Sequence, residues 1–431
     1  MSQKFKLAFS STDLNEKVEL LQRYNTKLRV LCKQVGTLEK EAIRRSSHPK
    51  SSPKAIALYR FRRNASQRLY DTLSQVWSCS KHIEHSANIR LDDNLNQTQS
   101  DKACFDMVFT FSGPLGSASM EKPMRVTIES MLEQPEGAAG ATTQPESQET
   151  IAKTVRFSLP VIVKSTVHEG EPLDLCSVQN ICFHLQTCLQ TASAPSPIGY
   201  LQRSKKFKYL IYPPKTITVC TDPAMSLCDT IRAAQTSGGI WIREKLRLAQ
   251  LLALAVLQFH STPWLDERWQ SQNILFFDSK NATPNENSFG SPYLAARFAK
   301  SPNPAPSELS DSKTPVSKSF LAAPNAILFR LGIILLELGL EAPFADLQEP
   351  QEQKQGFPAE YSAASRLALS SAVTNKMGSR YAKLVNRCLF CDFGLGGSYE
   401  LDVVELQNMF FQYVVMELYS CLEAARTLDV F

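Results

Sequence analysis

The segment Ala326–Leu340 (AILFRLGIILLELGL) constrains the fold of this chain more than any other. A helix that is apolar on nearly every side must be enclosed by other elements rather than lie at a surface. It falls short of the ~20 apolar residues that cross a bilayer, and it carries Glu337, so it reads as the buried helix of a large core. A chain of 431 residues with 43 % hydrophobic and 21 % charged side chains can supply the surrounding elements. At roughly 100–200 residues per domain, two or three domains are expected.

Helical periodicity recurs elsewhere. Leu248, Leu251, Leu252, Ala255, Val256 and Phe259 form one continuous apolar stripe. Leu14, Val18, Leu21, Leu28 and Val35 predict a helix over residues 12–45. Leu58, Phe61, Leu69, Leu73, Val76 and Trp77 predict a second over Lys54–Arg90, and the Ser/Pro loop between them makes the pair a helical hairpin. Strand patterns follow at Phe105–Phe111, Arg125–Ile128, Val155–Leu159 and Tyr209–Tyr212, with a short helix over Leu173–Leu189. Further helices are expected near Ala364–Cys388 and Leu401–Ala425. Residues 133–150 and 278–318, rich in polar residues and Pro, read as flexible insertions. The expected fold class is α+β. It has a basic helical region over 1–95, a small β-rich lobe over 100–215 and a helical lobe over 216–431.

The charge is unevenly spread. Residues 1–95 hold 18 Lys/Arg against 9 Asp/Glu in a chain of net charge +5. The cluster Arg44, Arg45, Lys50, Lys54, Arg60, Arg62 and Arg63 suits an acidic protein surface or anionic lipid. It lacks the interleaved aromatics that stack on bases, so nucleic-acid binding is unsupported. The opening residues have no apolar core of a signal peptide, and no run of 18 apolar residues occurs. The eleven Cys show no dense framework, which points to reduced thiols and a cytoplasmic or nuclear protein without a transmembrane segment.

The order of elements resembles a protein-kinase fold. Gly199-Tyr-Leu and Lys208-Tyr-Leu-Ile-Tyr212 resemble the two strands before the kinase hinge, and Ser226–Ile231 the short helix after it. Leu246–His260 resembles the long helix before the catalytic loop, and Gln272–Phe277 the end of that loop. Ala323-Pro-Asn325 with Leu331–Leu338 resembles the end of the activation segment and its following helix. The whole is similar to a fungal family of unknown function that joins an N-terminal helical region to a degenerate kinase-like domain. Trp77-Ser-Cys79, His82, His85, Leu173–Cys176 and His260–Trp264 match its landmarks.

The resemblance implies a pseudokinase. Phosphoryl transfer needs an orienting carboxylate, metal ligands and a lysine on the phosphates. With Asn273 as the kinase asparagine, the catalytic aspartate position holds Arg268, a cation that cannot accept a proton. Asp266 and Glu267 stand at the wrong spacing. The literal Asp392-Phe-Gly394 falls after the apolar helix, outside the context that gives that motif meaning. Lys164 and Asn273 are the nucleotide-site candidates that remain, and the helix Leu173–Leu189 offers no Glu to pair with Lys164. No catalytic residue and no cofactor are expected.

Two Cys/His patterns point the same way. On a helix, Cys79, His82 and His85 drift by about 60° per step and do not converge on one ion, and zinc would need a fourth ligand or a water besides them. No metal site is expected there. Cys388-Leu-Phe-Cys391 has neither a second pair nor a βαβ context and reads as two buried thiols. The expected function is a non-catalytic scaffold or regulatory interaction protein with a protein partner. The alternatives are an atypical phosphotransferase using Asp266 or Glu267, and a membrane-docking executor acting through the basic N-terminal helices.

Overall fold

Helix α1 (Pro53–Val76) begins a unit spanning Pro53–Phe431, distinct from a first unit, Met1–Ser52. The computed structural model describes Val18 and residues 53–77, 79, 81, 82, 84–92, 102–112, 122–132, 172–191, 196–204, 207–214, 224–277, 289–299, 323–353, 357–396 and 399–428. Apart from Val18, the helix expected over 12–45 lies outside the described residues, as do the strand expected over Val155–Leu159, the insertion near 133–150 and Lys164.

The architecture is α+β. The helix expected to run to Arg90 stops at Val76, and the chain re-enters as strand β1 (Glu84–Arg90). In that strand His85, Ala87 and Ile89 turn inward at a step of two, a period that a strand satisfies and a helix does not. Then follow β2 (Lys102–Ser112), β3 (Met124–Leu132), helix α2 (Ile181–Thr191), β4 (Gly199–Ser204) and β5 (Phe207–Tyr212). After them come β6 (Met225–Ser226), α3 (Leu227–Thr236), α4 (Ile242–Phe259), β7 (Ile274–Phe276) and β8 (Pro292–Ala299). The remaining elements are α5 (Ala326–Leu340), α6 (Phe344–Leu347), α7 (Phe357–Leu369), α8 (Ser371–Phe390), α9 (Val404–Phe410) and, after one π-turn, α10 (Met416–Leu428).

The eight strands make one antiparallel sheet in the order β4-β5-β3-β2-β1-β8-β7-β6. Strand β8 occupies residues 292–299 of the stretch expected to be a flexible insertion. Its alternation, Leu294, Ala296 and Phe298 on one face, was hidden among Ser, Pro and Asn neighbours. It pairs with β1 over seven residues, from Arg90 with Tyr293 to Glu84 with Ala299. One apolar row therefore crosses five strands: Val126, Met107, Ile89, Leu294 and Ile274, all buried. Matched side chains on neighbouring strands are the stabilising unit of such a sheet.

Helix α1 is bolted to this framework. The Tyr209 hydroxyl donates to the Ala65 carbonyl at 2.9 Å, and the Trp264 indole N–H donates to the Ser66 carbonyl at 2.9 Å. Two of the basic residues are internal. Arg62 is buried, 3.3 Å from the Asp92 carboxylate and over the Phe105 ring. Arg63 reaches Asp402 at 3.1 Å. Arg60 is exposed.

Helix α5 is enclosed as its sequence required. Glu337, the acidic residue inside it, accepts the Phe344 N–H at 2.8 Å and so caps the short helix that follows. Burial raises its pKa above the ordinary carboxylate range. The Tyr381 hydroxyl of α8 donates to the Leu335 carbonyl at 2.9 Å. Gly332 lets α8 approach: a Cβ there would lie 2.6 Å from Leu389 Cγ and 3.1 Å from its backbone nitrogen. Alanine improves helix propensity by about 1 kcal/mol, while overpacking costs about 1–3 kcal/mol. Gly332→Ala is therefore expected to lower the unfolding midpoint in urea, and Gly332→Val to lower it further.

Candidate functional site

Of the residues that sequence reasoning put forward for phosphate chemistry, Asn273 and Asp266 are engaged in local structure, and Lys164 lies outside the described residues. Asn273 ends a single 3₁₀ turn before β7, and its Oδ1 accepts the Gln270 N–H at 2.9 Å. It serves as a turn cap. Asp266 accepts the Arg268 N–H at 2.8 Å, and Asp266, Glu267 and Arg268 are all exposed. Asp392 follows the left-handed Cys391 that ends α8, with Phe393 packed on Phe410. That tripeptide terminates a helix. Cys388 and Cys391 are buried free thiols; burial pushes both up, Cys391 to about 11.

Sequence reading passed over the cation on the central strand. Arg125 of β3 donates from Nη1 to the Tyr293 hydroxyl of β8 at 3.1 Å. Phe277 meets the same Tyr293 ring edge-on, with centroids 5.1 Å apart. Val108, Phe277 and Tyr293 form a small buried cluster on this face, with partly buried Arg125 bonded to it.

A second constellation surrounds His260, the residue that closes α4. Its Nδ1–H donates to the Val256 carbonyl at 2.7 Å, and its Nε2 accepts from the Arg63 guanidinium of α1. Asp402, before α9, lies 3.5 Å from Nε2. These partners specify the neutral ring with the proton on Nδ1. Burial, then the Arg63 charge, lowers the His260 pKa to about 4, against the weaker opposite pull of Asp402.

The third constellation gathers residues that the sequence kept apart. Cys79 lies in the segment between α1 and β1, His82 three residues on, and His85 on β1. None sits on a helix, so the angular drift that argued against convergence does not apply. Cys182, in the first turn of α2, supplies the fourth group. One ligand atom from each of Cys79, His82, His85 and Cys182 lies within 4.8 Å of every other, and all four residues are buried. The Cys79 sulfur is 3.3 Å from His82 Nδ1. The Lys81 N–H donates to Cys79 Sγ at 3.4 Å, and the Trp77 indole N–H donates to Cys182 Sγ at 3.2 Å. Aromatic rings close the site: Trp77 stacks on Phe298, and His82 on Phe111. Cys182 was legible only as one of several cysteines near the predicted helix Leu173–Leu189, with no signal that set it apart.

The His260 geometry fixes a pH dependence. A folded-state pKa of about 4 against an unfolded value near 6.5 means that the unfolded chain binds the extra proton first. Stability is whole above pH ~6.5 and falls as pH drops towards 4, by roughly 3 kcal/mol in all. Denaturant titrations from pH 4 to 7 are expected to show this slope, and His260→Gln is expected to flatten it.

No curated protein matches the chain. One family model does, over residues 55–423. That span runs from the first turn of α1 to the last helix, and so includes the helix bolted by Tyr209 and Trp264, the whole sheet and the four-residue cluster. The chain therefore belongs to the DUF7580 family, a domain of unknown function.

Proposed function

We propose that this domain is a kinase-like fold that has given up phosphoryl transfer and acts as a scaffold or regulatory interaction protein. The observation that carries the reading is the β1–β8 ladder. Strands β1 to β5 lie in the order β1-β2-β3-β5-β4, with α2 between β3 and β4 in the chain. This is the arrangement expected of a kinase small lobe. The long α4, the loop to Asn273 and the β7 strand follow in the order the sequence resemblance implies. In a working kinase, nucleotide and metal ions sit between the glycine-rich strand pair and the strands after the catalytic loop. On this reading β8, hydrogen-bonded directly to β1, would lie across that space, and the Arg125–Tyr293 hydrogen bond beside the join supports it.

The chemistry supports the same reading. A kinase needs a lysine on the third strand paired with a glutamate on the next helix. The described third strand carries Arg125, bonded to Tyr293, and α2 (ICFHLQTCLQT) carries no acidic residue. An atypical phosphotransferase would need Asp266 or Glu267 as base, and both stand exposed to water rather than enclosed around a reacting group. Docking through the basic N-terminal region rests on residues of which most lie outside the described ones. Among the described residues no helix is long and apolar enough to cross a membrane. A protein partner, met in the cytoplasm or nucleus, is the reading left.

The test is a thermal-shift titration of the full chain with ATP, with and without Mg²⁺. A ligand of the native state must raise the midpoint by mass action, since it adds about 2.7 kcal/mol of stability at a hundred times its Kd. The expected result is no shift at millimolar nucleotide. A rise that depends on Mg²⁺ would overturn the proposal.

A further inference from the structure

Cys79, His82, His85 and Cys182 take no part in the proposed scaffold role. We infer that they form a structural zinc site that clips helix α2 to strand β1 and to the segment following α1.

The donor set fits that ion. Two thiolates and two imidazoles make a closed four-ligand shell, the composition of structural zinc sites; a catalytic site would keep one position open. Soft sulfur with imidazole selects zinc over the hard cations that prefer oxygen. With Zn–S near 2.3 Å and Zn–N near 2.0–2.1 Å, tetrahedral geometry places ligand atoms about 3.3–3.8 Å apart. The four donor atoms already lie within 4.8 Å of one another, and Cys79 Sγ to His82 Nδ1 is 3.3 Å. Small side-chain rotations bring the rest to contact distance.

The surroundings fit as well. Thiolate ligands are held by N–H donors around them. Both sulfurs receive one, from the Lys81 backbone and from the Trp77 indole. Trp77 also lies against Phe109 and Phe298, and Phe111 against His82, so the site has the apolar wall that keeps water from the ligands. Zinc uptake displaces the thiol protons to solvent, leaving two thiolates and two neutral imidazoles around the ion.

The fold gives the clip a purpose. Among the described side chains of α2 only Ile181, Cys182 and Leu185 are buried, while Phe183 is 68 % exposed. Three side chains anchor a helix weakly. Cys182 lies in its first turn and His85 in the centre of the sheet, between Phe111 of β2 and Phe298 of β8. An ion bonded to both fixes the helix to the strand that the whole sheet shares.

The test measures metal in the full-length protein purified without chelator or affinity metal. About one zinc per chain is expected by elemental analysis. Replacing it with Co²⁺ should give the intense visible bands of a tetrahedral ion and a thiolate-to-cobalt band in the near ultraviolet. Cys182→Ser should abolish the thiolate-rich spectrum and the stoichiometric zinc, whereas Cys391→Ser should leave both unchanged. The cobalt spectrum of the unaltered protein stands even where Cys182→Ser fails to fold. A metal-free protein whose melting temperature does not respond to added zinc would overturn the inference. So would zinc retained in full by folded Cys182→Ser.

Discussion

The pairing of β1 with β8 is the contact on which the rest of the unit depends. Without it, β1 to β5 would form one sheet and β6 to β8 a separate three-strand patch beside α3 and α4. With it, a single apolar row runs from Val126 to Ile274. Ala87 and Ala296 stand opposite each other in this ladder, on the face that also carries Phe298, whose ring stacks with Trp77. On the kinase-like reading proposed above, the same ladder would stand where a nucleotide enters. That proposal thus ties the loss of catalysis to the same contact that makes the sheet continuous.

Around that ladder, buried polar groups fix position rather than react. His260 ties α4 to α1 through Arg63, Asn273 caps a turn, and Glu337 caps the short helix after α5. Each directs a hydrogen bond at the backbone or at a neighbouring element, while the second carboxylate oxygen of Glu337 is buried without a partner. Removing one partner from such a buried arrangement strands the other, at about 1–3 kcal/mol for a neutral group. Such arrangements favour one packing, which suits the proposed scaffold role. The Cys/His cluster belongs to the same design, with an ion in place of a hydrogen bond.

Much of this was legible in the sequence where one period dominated. Ala326–Leu340 is a helix to the residue, and the stripe from Leu248 to Phe259 lies within α4. The strands around Phe105–Phe111 and Tyr209–Tyr212 stand where alternation placed them. The losses arose where the local pattern suited two structures equally. Trp77 continued a helical stripe while His85, Ala87 and Ile89 began an alternating one, and the seven residues between could serve either. Strand β8 was masked by flanking Ser, Pro and Asn, because its burial comes from β1, far earlier in the chain. The Cys/His cluster was unreadable for the same reason. Cys79, His82 and His85 were seen as a helical triplet, and the fourth group, Cys182, reaches them only through the fold.

The most direct measurement of the central claim is native-state hydrogen exchange on the ladder itself. Amides that open only when the whole unit unfolds exchange at the rate set by global stability. If β8 is a permanent neighbour of β1, the amides of Ala87, Ile89, Leu294 and Ala296 will exchange as slowly as those of buried α5, with or without ATP and Mg²⁺. Exchange in β8 much faster than in α5, slowed or quickened by nucleotide, would mean that the strands part to admit a ligand, and the account would be wrong.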